Sequence, residues 1–449
     1  MVLCHNLVIT DRFNNNYCYF NLINFKKTYL TVEEHDSLMN FLHGNGEDGK
    51  SVYTKLVASK QFISTAEIKK YDVLSQINYN KIKNKKLLKL QGIQFNLSFK
   101  CNLHCSYCYE KNEKTISDKI SIDDVDKIFS LYKRYIKISE QEEKDIILTI
   151  NGGETLLEEN IKVINHITDV FPQKVMIFTN GILLEEQWNK LNINKINGFQ
   201  ISFIGDDDDI AYIANSNKKI KVSKKILNSM KLVATKGLKL KICVVLETLS
   251  LERVQKIINI LSQLNLLKYK NVLLYFTLNI DYSQELNISN KYNLKTLPDL
   301  VHKINNYLKD KTNIHFVITP EITRLESFIN EKFKIENCYY NTRCINENGI
   351  FLNALPGGKL YFCSYLMGND GLIADYNSGK IFDTKIDKII QHNVSVYSNC
   401  KKCDFRFICG GGCLVHIKNS NTYKNYGCFL YKNQLFMDNI DKFISLDSS

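Results

Sequence analysis

Between about residues 90 and 285, short apolar runs recur at regular intervals along the chain. They are "GIQFNLSF", "DIILTIN", "KVMIFT", "GFQISF", "LKLKICVVL" and "NVLLYFTLN". Segments with helical spacing of apolar positions lie between them, such as "SIDDVDKIFSLYKRYIK" and "TLLEENIKVINHITDVF". Strand–helix alternation of this kind predicts parallel βαβ units and an α/β fold. Six strands are too few to close an eight-stranded barrel, so the expected form is an open, partial (β/α)6 barrel of the TIM type.

The flanks follow other patterns. Residues 1–85 read as a small α+β module, winged-helix-like in outline: "NLVITDRF" and "NYCYFNLI" suit strands around an Asn-rich turn. "TVEEHDSLMNFLHG" opens with a capping box, Thr31 and Glu34, and stops at Gly44; "STAEIKKYDVLSQI" repeats the device with Ser64 and Glu67. The barrel pattern occupies 86–285, and 286–335 reads as a linking region of helical character. Residues 336–449 are short-looped and Cys-rich, with Gly357-Gly358 and Gly410-Gly411-Gly412. So small a region has little apolar core and is expected to depend on metal centres for folding.

Charge changes this picture little. The net charge of +12 is spread along the chain among asparagines and isoleucines, so no nucleic-acid partner is expected, whereas an acidic peptide would fit. The run Asp206 to Asp209 reads as a solvated loop. No stretch approaches the roughly eighteen apolar residues of a membrane span, and "MVLCHNLVITDRFNNN" lacks the order of a signal peptide. A cytoplasmic protein without a membrane partner is expected.

Cysteine usage changes it a great deal. Fourteen cysteines in a reducing compartment favour metal or cluster ligation over disulfides. Three lie at 101, 105 and 108, eight between 338 and 428, and Cys4, Cys18 and Cys243 stand apart. Cys243, inside the apolar run "LKLKICVVL", reads as a small core hydrophobe. The three-Cys loop follows the first barrel strand directly. The next strands end in "NGGE" (Asn151 to Glu154), "TNG" (Thr179 to Gly181) and Ser202. In parallel barrels, catalytic groups collect on that C-terminal rim. A zinc site completed by His104 is the alternative for the loop.

The spacing C-x3-C-x2-C with Tyr107 before the last cysteine resembles the radical S-adenosylmethionine (SAM) superfamily. The resemblance implies that Cys101, Cys105 and Cys108 hold a [4Fe–4S] cluster whose fourth iron is chelated by SAM. One electron then cleaves the sulfonium to a 5′-deoxyadenosyl radical that abstracts hydrogen from substrate. It further implies that Gly152, Gly153 and Glu154 serve the SAM amino group, with Tyr107 near adenine and Ser202 near the carboxylate. The resemblance also implies Asn180 and Leu278 as further cofactor-contact positions. Relatives often carry an arginine about a dozen residues after that serine; "IGDDDDIAYIANSN" has none.

The C-terminal pattern resembles the SPASM extension of radical SAM peptide maturases, including Gly358 five positions before Cys363. That resemblance implies two auxiliary [4Fe–4S] clusters, one on Cys338, Cys344, Cys363 and Cys413, the other on Cys400, Cys403, Cys409 and Cys428. A pair of zinc knots is the alternative. The implied function is modification of a ribosomally made precursor peptide, forming thioether or carbon–carbon crosslinks. A leader would be held by residues 1–85 through strand addition, with "NYCYFNLI" as the edge strand. A flavodoxin- or ferredoxin-like protein would supply electrons. A formylglycine-generating, anaerobic sulfatase-maturating enzyme is the alternative, opposed by Ser364 where those enzymes carry Asp. A non-enzymatic iron–sulfur or zinc-bound adaptor is the other.

Overall fold

The structure, a computed structural model, describes residues 7–13, 16–21, 27–59, 62, 73, 90–108, 110, 118–139, 142–143, 146–213, 222–246, 249–278, 297–308, 311, 313–317, 350–363, 371–382, 400 and 403. Near the N-terminus, β1 (Leu7–Phe13), β2 (Asn16–Asn21) and β3 (Lys27–Thr31) form an antiparallel sheet in the order β1-β2-β3. α1 (Val32–Leu42) follows at once, because Thr31 caps it: the Glu34 amide donates to Thr31 Oγ1 at 3.2 Å and the Thr31 amide to Glu34 Oε2 at 3.0 Å. With α2 (Lys50–Ala58) these elements enclose a core of Tyr19, Leu30, Leu38 and Leu56. β2 pairs on both sides, so it is the central strand and not the expected edge; β1 and β3 are the outer strands. The second capping box, at Ser64 and Glu67, lies outside the described residues.

All six expected barrel strands are present: β4 (Leu90–Asn96), β5 (Ile147–Asn151), β6 (Val175–Thr179), β7 (Ile196–Ser202), β8 (Lys239–Leu246) and β9 (Val272–Leu278). They lie side by side in chain order and pair in parallel. The sheet then continues at both ends. β10 (Ile314–Val317) joins β9 in parallel after the helix Leu297–Leu308, so the expected linking region also contributes a strand. On the other side β11 (Ile350–Leu355) runs parallel to β4. The antiparallel strands β12 (Lys359–Tyr361), β13 (Leu372–Asp375) and β14 (Lys380–Ile381) continue the sheet from there.

Helices cover one face of this sheet. α3 (Ile122–Ser139) and α4 (Ile161–Val170) pack where Phe95 of β4 meets Phe171 edge-on at 5.5 Å and Phe171 meets Phe129 at 4.9 Å. α5 (Asp207–Ile213), α6 (Val222–Thr235) and α7 (Leu251–Gln263) follow β7 and β8. A parallel strand covered on both faces reads as continuously apolar. β8 instead alternates: Leu240, Ile242, Val244 and Leu246 are buried, while Lys241, Cys243 and Val245 are only half-buried. The pairing carries this alternation across the sheet, since Phe178, Gln200 and Lys241 are in register, as are Ser202 and Cys243. Those side chains form an inner face, turned away from the core helices.

Two expectations change here. Cys243 sits on the inner face beside Ser202 and not among the helix-side core residues; burial pushes its thiol up to about 11. The run Asp206 to Asp209 is not a solvated loop. Asp206 Oδ1 accepts from the Asp209 amide at 3.0 Å and Asp209 Oδ2 from the Asp206 amide at 3.2 Å, starting α5. Asp209 pairs with Arg253 at 2.5 Å, and Lys256 reaches Asp206 at 2.7 Å and Asp209 at 2.8 Å, fastening α5 to α7. The Arg253 guanidinium also donates to the Ile204 carbonyl. Among the described residues no helix is long and apolar enough to cross a membrane.

Candidate functional site

β4 leaves the sheet at Asn96 and runs through Leu97 to Lys100 into the cysteine loop. Cys101 and Cys105 are half-buried against the main core, as is Tyr107; Cys108 is half-buried too. The loop turns tightly, with the Cys108 amide donating to the Cys105 carbonyl at 3.1 Å. The Leu103 amide donates to Cys101 Sγ at 3.4 Å, a contact that suits an anionic sulfur. His104 is exposed. Among the described residues no three His, Cys, Asp or Glu side chains are grouped to hold a metal ion.

The turn after β5 lies directly under this loop. The Gly153 amide donates to the Ser98 carbonyl and the Glu154 amide to the Lys100 carbonyl, both at 2.8 Å. Gly152 has φ +121, and a Cβ there would stand 2.6 Å from the Ser98 carbonyl oxygen; one on Gly153 would stand 2.2 Å from that of Lys100. Those atoms are backbone and cannot yield, so only glycine permits the approach. The two glycines thus fix the floor of the cysteine loop.

Glu154 is fully buried and its carboxylate faces inward. Oε1 accepts from the Thr179 hydroxyl at 2.5 Å and the Leu156 amide at 2.8 Å; Oε2 accepts from the Asn180 amide at 2.8 Å. Burial raises its pKa, and the donors from Thr179, Asn180 and Leu156 work against that rise. Asn180, in the turn after β6, accepts from the Ile182 amide at 3.0 Å and donates through Nδ2 to Asn102 Oδ1 at 2.6 Å. Three rim segments are therefore tied together: the cysteine loop, the Gly-Gly-Glu turn and the Thr-Asn-Gly turn.

Ser202 is exposed at the end of β7, on the same rim. Cys243 lies opposite it, and two positions earlier on the inner face of β8, opposite Gln200, lies Lys241, a cation with no ion pair among the described residues. Sequence reasoning passed over Lys241; the alternation of Leu240, Ile242 and Val244 with Lys239, Lys241 and Cys243 was the signal. Leu278 ends β9. Buried polar atoms without partners also gather at β4 and β5, namely Asn96 Nδ2, Ser98 Oγ and Thr149 Oγ1. Of the C-terminal cysteines, Cys363 follows β12 and packs against the main core, and the Cys403 amide donates to the Cys400 carbonyl at 3.0 Å. Gly358 has φ +90 in the turn between β11 and β12. Cys338, Cys344, Cys409, Cys413, Cys428 and Ser364 lie outside the described residues.

Comparison with known proteins adds the following. Residues 95–261 match the family model described as the radical SAM superfamily. A GTP 3′,8-cyclase of Clostridium perfringens is 27% identical over 167 residues, covering 32% of this chain and 50% of that protein. One of Clostridium acetobutylicum is 31% identical over 145 residues, covering 31% and 43%. The chain thus spans about half the length of the curated relatives it matches. Among solved structures, Streptococcus suis SuiB bound to its precursor peptide SuiA superposes with a TM-score of 0.56 at 16% identity, covering 95% of this chain and 99% of SuiB. The protein anSMEcpe with bound AdoMet does so with a TM-score of 0.56 at 18% identity, covering 78% and 95%. At such identities these likenesses establish a shared fold.

Proposed function

Residues 95–261 of this chain are a radical SAM domain, and from that premise we propose a maturase that modifies a precursor peptide by hydrogen abstraction. The observation that carries the reading is the convergence of three cysteines, the Gly-Gly-Glu turn, Asn180 and Ser202 on one rim of the parallel sheet. The donor set fits a [4Fe–4S] cluster: three thiols in one half-buried loop, an amide aimed at one sulfur, and a floor that only glycine permits. Cys101, Cys105 and Cys108 would hold that cluster. When bound, cluster and SAM together supply one-electron cleavage of the sulfonium and a 5′-deoxyadenosyl radical.

In this reading the chain's own groups shape the pocket. The backbone of Gly152 and Gly153 and the buried Glu154 set the wall for the SAM amino group. Tyr107 and Leu278 serve adenine, Asn180 borders the cluster loop, and Ser202 serves the carboxylate. Lys241, diagonal to Ser202 on the inner face, supplies the cation that the segment after Ser202 lacks. A carboxylate anion and a lysine ammonium attract, and a half-buried lysine is screened less than one on the open surface.

SuiB, solved with a precursor peptide bound, superposes over 95% of the chain and anSMEcpe over 78%, which favours a peptide substrate with a leader over a formylglycine-generating enzyme. Residues 1–85 would recognise the leader, at an outer strand of the β1-β2-β3 sheet. The C-terminal cysteines would hold two auxiliary clusters, and an external flavodoxin- or ferredoxin-like protein would deliver electrons.

Anaerobic reconstitution tests the reading. About twelve irons per chain are expected for three four-iron centres, with reductive cleavage of SAM to 5′-deoxyadenosine. Joint replacement of Cys101, Cys105 and Cys108 with Ala should remove about four irons and abolish cleavage. Tightly held zinc with little iron, or no cleavage by the iron-loaded protein, would sink it.

A further inference from the structure

We infer that the side-chain bridge from Asn180 to Asn102 positions the cluster loop and thereby sets the reduction potential and retention of the cluster held there; this rests on the radical SAM reading above. Asn102 is exposed, and a hydrogen bond between exposed amides ordinarily stabilises little. This one differs because its far end is anchored. The Asn180 amide is held by the buried Glu154 carboxylate at 2.8 Å, its Oδ1 by the Ile182 amide at 3.0 Å, and its Nδ2 is left aimed at Asn102 Oδ1 at 2.6 Å. Glu154 is itself fastened through Thr179 and Leu156. A rigid support thus reaches across from the turn after β6 to the residue next to the first cluster ligand.

Two electrostatic consequences follow, and they have the same sign. Fixing residue 102 fixes the peptide that presents the Leu103 N–H to Cys101 Sγ, 3.4 Å away. An N–H donor on a ligating sulfur stabilises the more negative, reduced state and raises the potential. Asn102 Oδ1 lies 3.9 Å from the same sulfur. Once Cys101 is a thiolate, that oxygen is a negative dipole end beside an anion. The Asn180 N–H offsets it by donating to the oxygen. Loss of the Asn180 donor removes both effects, whereas loss of the Asn102 side chain frees the peptide but also removes the oxygen itself.

The test uses the full chain, reconstituted anaerobically without SAM, in redox titrations followed by electron paramagnetic resonance. The relevant cluster is identified as the one whose signal changes when SAM is added. Asn180→Ala is expected to move its midpoint to more negative potential; Asn102→Ala, which also takes away the oxygen beside Cys101 Sγ, is expected to move it less, and both are expected to hasten iron loss to a chelator several-fold. Because they break one bond, the double variant should move no further than the larger single change. Unchanged midpoints in both singles, or shifts that add in the double, would overturn the inference. If Asn180→Ala does not fold, iron loss from Asn102→Ala decides, since its side chain is exposed, and retention equal to wild type would overturn the inference. A wild-type protein with no SAM-responsive signal would instead overturn the radical SAM reading itself.

Discussion

At the scale of single residues, Glu154 shows what a motif conveys and what it leaves out. Gly-Gly-Glu after a strand marks the turn, but the carboxylate's partners come from Thr179 and Asn180, some twenty-five positions later, and no local pattern announces them. Its position was legible; its engagement was not. The consequence is a stability phenotype. Glu154→Gln keeps an oxygen for Thr179 and Leu156 but sets an amide N–H₂ against the Asn180 N–H. It should cost about 1–3 kcal/mol, the penalty of a buried unmatched donor. Glu154→Ala orphans all three donors and should cost more. With the folded pKa raised, the folded state binds the extra proton. Glu154's contribution is therefore greatest below the ordinary carboxyl range and falls as pH rises through its folded pKa. Denaturant unfolding of the three proteins over pH 4–8 checks both points. An alanine variant as stable as wild type would show that the carboxylate is no joint.

At the scale of elements, the six barrel strands were readable because each holds at least five residues rich in β-branched or aromatic side chains. β10 has four and stands isolated in a segment of helical character, so nothing local distinguished it. Which face of a strand looks inward was also concealed: "LKLKICVVL" passes for an apolar run until its lysines and cysteine are counted at every second position. The acidic run was misjudged for another reason. Its partners, Arg253 and Lys256, sit on α7, a whole strand away. This contact carries its own prediction. Burial pushes the Asp206 carboxyl up, but hydrogen bonds from Lys256 and Asp209 outweigh it and hold the group down to about 2. A carboxyl with a depressed folded pKa stabilises above its ordinary value of 3.8, and the contribution is lost as pH falls toward about 2. Lys256→Met should therefore lower the unfolding midpoint at pH 7, and the gap from wild type should narrow below pH 4. A gap independent of pH would mean that the lysine acts through packing of its stem alone.

At the scale of the whole molecule, the question is whether residues 1–85 recognise substrate or merely cap the barrel. Every residue proposed to hold a cluster or SAM lies beyond position 100, so a truncated chain retains the complete chemical apparatus. The module meanwhile has its own small core of Tyr19, Leu30, Leu38 and Leu56, and its sheet ends in two outer strands, β1 and β3. An outer strand offers backbone donors and acceptors to an extended peptide. A leader held there acts as a tether and raises the effective concentration of the core peptide at the rim. Deletion of residues 1–85 should then spare SAM cleavage and cluster content but sharply lower modification of leader-bearing peptide. The rate should fall to that of leaderless peptide on the intact enzyme. The decisive comparison is intact and truncated enzyme on both peptides, with crosslinked product measured by mass spectrometry. Full modification of leader-bearing peptide by a soluble, cluster-loaded truncation would refute recognition. Loss of iron or solubility on truncation would show instead that the chain requires the module as a cap.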